Sequence, residues 1–258
     1  MTREPTILAM GGGGFTMEPD NPALDDFALS LTEVREPRVL FLPTASGDPT
    51  AQIQTFQNRY GGRACRAEYL SLFRLHGSTR TLRERLAGQD LIYVGGGSMR
   101  NLLAIWRAHE LDELLTEVWQ RGTVLCGLSA GAMCWFEGGI TKSAGPPEPI
   151  TGLGQLPGSL TVHADGEPER LPAWLAAVRS GDLPGGWAAD DGVGLVYRGT
   201  ELERIVSSRP AATALRCDAV GGELVRRRVQ PELLEVQRRR EMPDDVREMR
   251  ETLRRRRR

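Results

Sequence analysis

The stretch GLSAGAMCWFE, residues 127–137, sets Ser129 between Gly127 and Gly131, directly after the apolar Val124-Leu125-Cys126. A short apolar run stopped by glycine and followed by helix-favouring residues reads as a strand turning sharply into a helix. Ser129 falls on that turn. In open α/β sheets the carboxyl ends of the strands form the crevice where ligands bind, so this reading decides both the fold class and where chemistry is to be sought. A G-x-S-x-G match means little by itself in a chain with 30 glycines, and its surroundings must supply the argument.

Working outward, short apolar runs alternate with helical patterns through the first half, the mark of a parallel sheet covered by helices. Strands are expected at residues 6–10, ended by Gly11 to Gly14, then at 38–42, 65–73, 90–94, stopped by Gly95-Gly96-Gly97, and 123–127. A helix is expected at 51–60. Ser98 can cap a long helix in which Leu102, Leu103, Ile105, Trp106, Leu111, Leu114, Leu115 and Val118 keep a 3.6-residue rhythm up to Gly122. Ser129 opens another helix, 130–136. A Gly/Pro-rich loop spans 138–158, extended chain resumes at 159–163, and a helix covers 168–179. Three short antiparallel strands follow at 193–197, 202–206 and 212–217. The expectation is one α/β domain over 1–258, a mostly parallel sheet flanked by helices with C-terminal antiparallel strands, closed by a basic helical tail at 231–258.

The chain has 258 residues, and its 33 basic and 34 acidic side chains nearly cancel, which argues against nucleic acid or an anionic membrane as partner. Arginines crowd the end, at 226–228, 238–240 and 254–258, as on a solvated helix. Four cysteines, Cys65, Cys126, Cys134 and Cys217, show no C-x-x-C pair and no metal-like spacing. No apolar run approaches the ~20 residues of a membrane span, and the first residues run straight into a strand. A cytoplasmic protein with reduced thiols is expected.

A serine hydroxyl becomes a good nucleophile only when a base takes its proton. Three histidines are available. His76 follows a strand edge and His109 lies on a helix, whereas His163 closes the extension Leu160-Thr161-Val162 at the carboxyl edge where Ser129 also sits. Histidine comes only 34 positions after the serine and none follows it, so the serine, acid, histidine order of the α/β-hydrolases does not apply. Acyl transfer also needs N–H donors for the developing oxyanion. Ala130, at a helix start, and the loop of Gly95, Gly96 and Gly97 are the candidates.

Taken in order, Val94-Gly95-Gly96-Gly97, GLSAGAMCWFEGG, VHADGE and DDGVGLVY resemble the peptidase E family of serine peptidases, which also contains the cyanophycinases. The resemblance runs from the first strand to about Tyr197. It implies a class I glutamine-amidotransferase-like (flavodoxin-like) fold, a dipeptidase-like cleavage of short peptides after an N-terminal aspartate, and no metal or organic cofactor. It makes Ser129 the nucleophile, His163 the base, and Ala130 with the glycine loop the oxyanion hole of a catalytic triad.

Two departures from the family pattern stand out. An aspartate common in a Thr-Asp-Ser setting is replaced here by Lys142, between Thr141 and Ser143, and the residue after the histidine is Ala164 rather than an aromatic. The acid must therefore come from elsewhere, or the triad is degraded. Asp165 is preferred, because two positions along an extended strand a side chain returns to the same face, and amidotransferases of this fold place a carboxylate at that offset. Asp191, beside Asp190 before a strand, is second. Arg170 is the cation nearest His163 for an acidic substrate group, with an ion pair to Glu167 or Glu169 as its other reading. A non-catalytic binding protein and an esterase or amidase stay open beside the peptidase, and the oligomeric state is undetermined, a homo-oligomer included.

Overall fold

The computed structural model describes residues 3–75 and 79–235. Its order is β1 (Thr6–Met10), α1 (Gly14–Met17), α2 (Ala23–Ser30), β2 (Arg38–Leu42), α3 (Thr50–Gly61), β3 (Arg66–Tyr69), α4 (Leu82–Leu86), β4 (Leu91–Val94), α5 (Met99–Ala108), α6 (Leu111–Gln120) and β5 (Val124–Leu128). Then come α7 (Ala130–Met133), β6 (Phe136–Thr141), β7 (Glu148–Thr151), β8 (Leu156–Thr161), α8 (Arg170–Ser180), β9 (Gly186–Ala189), β10 (Val193–Arg198), β11 (Glu201–Ser207), β12 (Ala214–Val220), β13 (Glu223–Val229) and β14 (Glu232–Leu233). Two sheets result: eight strands in the order β14-β11-β10-β1-β5-β4-β2-β3, and six in the order β13-β12-β9-β8-β6-β7.

The first five strands run parallel to one another; β1, β2, β4 and β5 are buried on both faces, as their apolar runs imply, while β3 is the exposed edge. Alternation along them divides the core. Leu8, Met10, Phe41, Tyr93 and Cys126 face Phe15, Leu24, Phe56 and Tyr60 from α1, α2 and α3. Ile7, Ala9, Leu40, Ile92 and Leu125 face Leu102, Trp106 and Leu115 from α5 and α6, and this cluster continues into Phe136, Leu160, Trp187 and Ala214 of the second sheet. The second sheet's other face, with Ile140, Ala188 and Cys217, is covered by Trp174, Ala177 and Val178 of α8.

Four expectations are corrected. The long helix after Ser98 is two helices, because Glu110 adopts a left-handed φ of 54° between α5 and α6, and an unbroken 3.6-residue rhythm does not reveal such a break. The helix after Ser129 has only four residues, and the Gly/Pro-rich region beyond it supplies β6 and β7. Glycine and proline there hide the alternation that marks a strand. The strand near residues 212–217 joins β9 and β13 in the second sheet rather than extending the first. Of the expected tail helix, Glu232–Leu233 forms a short strand beside β11, and residues 236–258 lie outside those described.

Beneath the end of β1 lies a buried carboxylate. Asp25, fully enclosed, accepts hydrogen bonds at 3.2 Å from the Phe15 N–H and from the Tyr60 hydroxyl, with Arg59 Nε 3.4 Å from its other oxygen. Burial raises its pKa from 3.8 to about 6, against the opposing pull of Arg59. The folded protein thus holds this proton through a window, about pH 4 to 6, in which the unfolded chain releases it. Stability from this group is highest at the acid end and falls as pH rises through that window, by on the order of 3 kcal/mol. Asp25→Asn has no such proton to lose. In urea unfolding, its stability relative to the wild type should therefore rise by about 2–3 kcal/mol between pH 4 and pH 7; a constant difference would show that Asp25 does not titrate there.

Candidate active site

β5 is flanked by β1 and β4, all three parallel, so the carboxyl ends of three neighbouring strands open on one crevice. Ser129 is the first residue past β5. Its backbone takes φ 55° and ψ −113°, a conformation a non-glycine residue adopts only when its surroundings enforce it. The enforcement is visible. The Ser129 N–H donates to Met10 O at 3.1 Å, and its carbonyl accepts from Ala132 and Met133 at 2.9 Å each. A Cβ on Gly127 would stand 1.8 Å from Gly131 O, and one on Gly131 would stand 2.5 Å from Val94 O. Both flanking glycines are therefore demanded by backbone lying on backbone.

His163 follows β8 and also has a positive φ, 53°, with its N–H donating to Gly11 O at 3.3 Å. Its ring bridges two side chains: Nε2 is 2.9 Å from Ser129 Oγ, and Nδ1 is 2.6 Å from Asp191 Oδ1. Asp191 sits in the turn before β10. Because β10 runs antiparallel to β1, it is the start of β10 that reaches the crevice. The His163 and Asp191 side chains are 14% and 13% exposed, which keeps their contact largely out of water, and Ser129 is half-buried.

Asp165, the carboxylate favoured by spacing, does not reach the ring. It is exposed, and its Oδ1 accepts the backbone N–H of Asp191 at 2.8 Å. The same-face argument needs extended chain, and β8 has already ended at Thr161. From His163 the backbone enters a turn in which Gly166 and Glu167 donate to His163 O. Asp165 thus holds the residue that holds the histidine. Asp190, also considered, accepts from the N–H and hydroxyl of Thr213, each at 2.8 Å.

Arg170 is also placed differently from its expected substrate-facing role. Its side chain is 8% exposed, Nη1 donates to Ile140 O at 2.6 Å, and Nε lies 3.0 Å from Glu167. The ion-pair reading describes it, although the pair is enclosed. Lys142 lies 3.2 Å from Glu167 and 3.4 Å from Glu169, so it faces the segment after His163 rather than Nδ1. Burial would raise the Glu167 pKa, but Arg170 and then Lys142 outweigh it and the net shift is downward. His109 closes α5, and His76 lies outside the described residues.

Of the expected oxyanion donors, Gly96 lies against Ser129, where a Cβ would come 3.3 Å from the serine Cβ, and Gly97 packs over Ala45. Among the described residues no backbone acceptor meets the N–H of Ala130, Gly96 or Gly97. The sequence reading passed over Gly12. A Cβ there would stand 1.9 Å from Asp191 Oδ1 and 3.1 Å from His163 Nδ1, and Gly12 O accepts the N–H of Gly192. The signal was the run of four glycines after the first strand, longer than a turn needs.

The model of Peptidase family S51 matches residues 7–205. The chain belongs to this family, and it is a peptidase. "Uncharacterized peptidase YgaJ" of Bacillus subtilis (strain 168) is 47% identical over 210 residues, covering 81% of this chain and 90% of the relative. Among solved structures, a peptidase from an acI-B1 Actinobacterium superimposes with a TM-score of 0.66 at 20% identity, covering 89% of this chain and 98% of that one, a likeness of fold. A putative peptidase E protein from Listeria monocytogenes EGD-e gives 0.48 at 17% identity, covering 88% and 100%.

The contact at Gly12 gives a direct test of this candidate site. In Gly12→Ala the methyl group must push Asp191 from the ring or shift the loop, so labelling of Ser129 by a fluorophosphonate should slow at least about 100-fold, within the range a misoriented base costs. Thermal unfolding should stay cooperative. Wild-type labelling would mean that the His163–Asp191 contact does not govern the serine.

Proposed function

We propose that this protein is a serine peptidase of short peptides that works through an acyl-enzyme on Ser129. The observation that carries the reading is the unbroken chain of side chains Ser129 Oγ, His163 and Asp191, linked at 2.9 and 2.6 Å. As the serine oxygen attacks the scissile carbonyl, the Oγ–H proton passes to His163 Nε2, and Asp191, bonded to Nδ1, balances the imidazolium. The proton then goes to the leaving amine as the C–N bond breaks. Water, deprotonated by the same nitrogen, then attacks the acyl carbon, and the acyl–Oγ bond breaks as that proton passes to Ser129 Oγ. The N–H groups of Ala130 and Gly96, which border Ser129 and meet no backbone acceptor among the described residues, are the donors for the oxyanion.

This geometry weakens the non-catalytic alternative, whose motive was Lys142, since Asp191 supplies the carboxylate that the substituted loop does not. The enclosure of Arg170 leaves the aspartate preference implied by the family resemblance without its candidate cation, so the proposal stops at short peptides. The parallel core strands and the serine turn at their carboxyl edge agree with the amidotransferase-like description of the fold. No helix among the described residues is long and apolar enough to cross a membrane. The four unpaired cysteines support a cytoplasmic setting.

Ser129→Ala and His163→Ala should each lower peptide hydrolysis on the order of 10⁵–10⁶-fold with the fold intact. Asp191→Asn should lower kcat about 10³–10⁴-fold by favouring the wrong imidazole tautomer, whereas Asp165→Asn should cost far less. Initial rates on a panel of dipeptides and tripeptides decide the matter. Turnover persisting in Ser129→Ala would remove the mechanism, and a larger loss in Asp165→Asn than in Asp191→Asn would return the acid's role to Asp165.

A further inference from the structure

His163 occupies one oxygen of Asp191, and the other faces a cation that the mechanism above does not use. Arg209 Nη1 is 3.9 Å from Asp191 Oδ2. Arg209 is fixed from several sides. Its Nε donates to Glu18 Oε1 at 2.6 Å, and Glu18, only 8% exposed, accepts the Ser208 hydroxyl at 2.7 Å on its other oxygen. The arginine stem crosses Gly192, where a Cβ would come 2.8 Å from Arg209 Cγ, and the Ser208 N–H donates to Gly192 O at 2.9 Å. The turn after β11 is thereby fastened to the turn that carries Asp191.

We propose that Arg209, anchored by Glu18, is a positioning residue for Asp191 that also sets the pH at which His163 can act as a base. The inference rests on the serine mechanism proposed above. At 3.9 Å Arg209 acts on Asp191 through its charge, which draws the outer oxygen toward it and leaves the inner oxygen presented to Nδ1. The same positive charge opposes protonation of the ring beyond. Other charged groups near the His163–Asp191 pair are Asp165 and Asp190 beside it, Glu167 after it with its partners Lys142 and Arg170, and Glu18 behind Arg209. Among these, Arg209 is the cation set against Asp191 itself. The Glu18 hydrogen bond, followed by the charges of Glu18, Asp191 and Asp165, stabilises its charged form.

The test is the pH dependence of fluorophosphonate labelling, read together with the ring ¹⁵N shifts of His163, which follow its protonation without any reaction. In Arg209→Gln both midpoints should move up by about 0.5–1 pH unit, the size expected for one unit charge several Å away at intermediate dielectric. Arg209→Lys, which restores the charge, should bring them back to within about 0.2 unit of the wild type. A merely structural arginine would lower the labelling rate at every pH and leave the midpoints alone, which would overturn the proposal. Should Arg209→Gln not fold, Glu18→Gln decides: with the arginine no longer neutralised, the midpoints should fall, and an unchanged or raised midpoint counts against the proposal. A wild type that never labels removes the serine mechanism, while the ring midpoints still judge whether Arg209 acts on His163.

Discussion

The backbone of Gly131 lies against the carbonyl oxygens of Val94 and Gly95, closer than any side chain would allow. That approach presses the start of α7 onto the ends of β4 and β5, with Ser129 at the turn between strand and helix. The price is an unfavourable φ at a serine, offset by three backbone hydrogen bonds and by the packing of α7 on the sheet. The oxyanion candidates depend on the same contact, because it sets Ala130 and Gly96 on the two sides of the serine.

Much of this was legible in the sequence, for identifiable reasons. β1 and β2 fall at residues 6–10 and 38–42 as read, because a strand buried on both faces must be continuously apolar. Ser129 was legible because an apolar run, two glycines and a helix-forming segment follow in an order that few backbones satisfy. His163 was reached by elimination among three histidines. The carboxylate that meets His163 was harder. Asp165 and Asp191 are both short acidic residues near strand ends, and the choice turned on whether the chain at His163 is extended or turning. A positive φ at a histidine leaves no mark in the composition around it.

The parts that escaped share a cause: they depend on pairing between distant segments. Gly12 matters for what it faces, a carboxylate 179 positions later, and Glu18 is bound to Arg209 across 191 positions. β6, β7 and β9 are rich in glycine, proline and alanine, so their identity as strands comes from their neighbours in the second sheet rather than from an alternating pattern. Arg170 and Lys142 show the converse. Both are cations that the sequence reading set against the histidine's site, and both are taken up by Glu167.

The route of the chain between Ser129 and Asp191 carries a further consequence. After the serine the backbone leaves the eight-stranded sheet, builds β6, β7, β8 and β9 of the other one, delivers His163 on the way, and returns only at β10. Ser129 and His163 therefore meet only when two separately hydrogen-bonded layers have docked. Under the serine mechanism proposed above, reactivity of Ser129 reports on that docking rather than on formation of the parallel core, so a half-assembled molecule would be chemically silent.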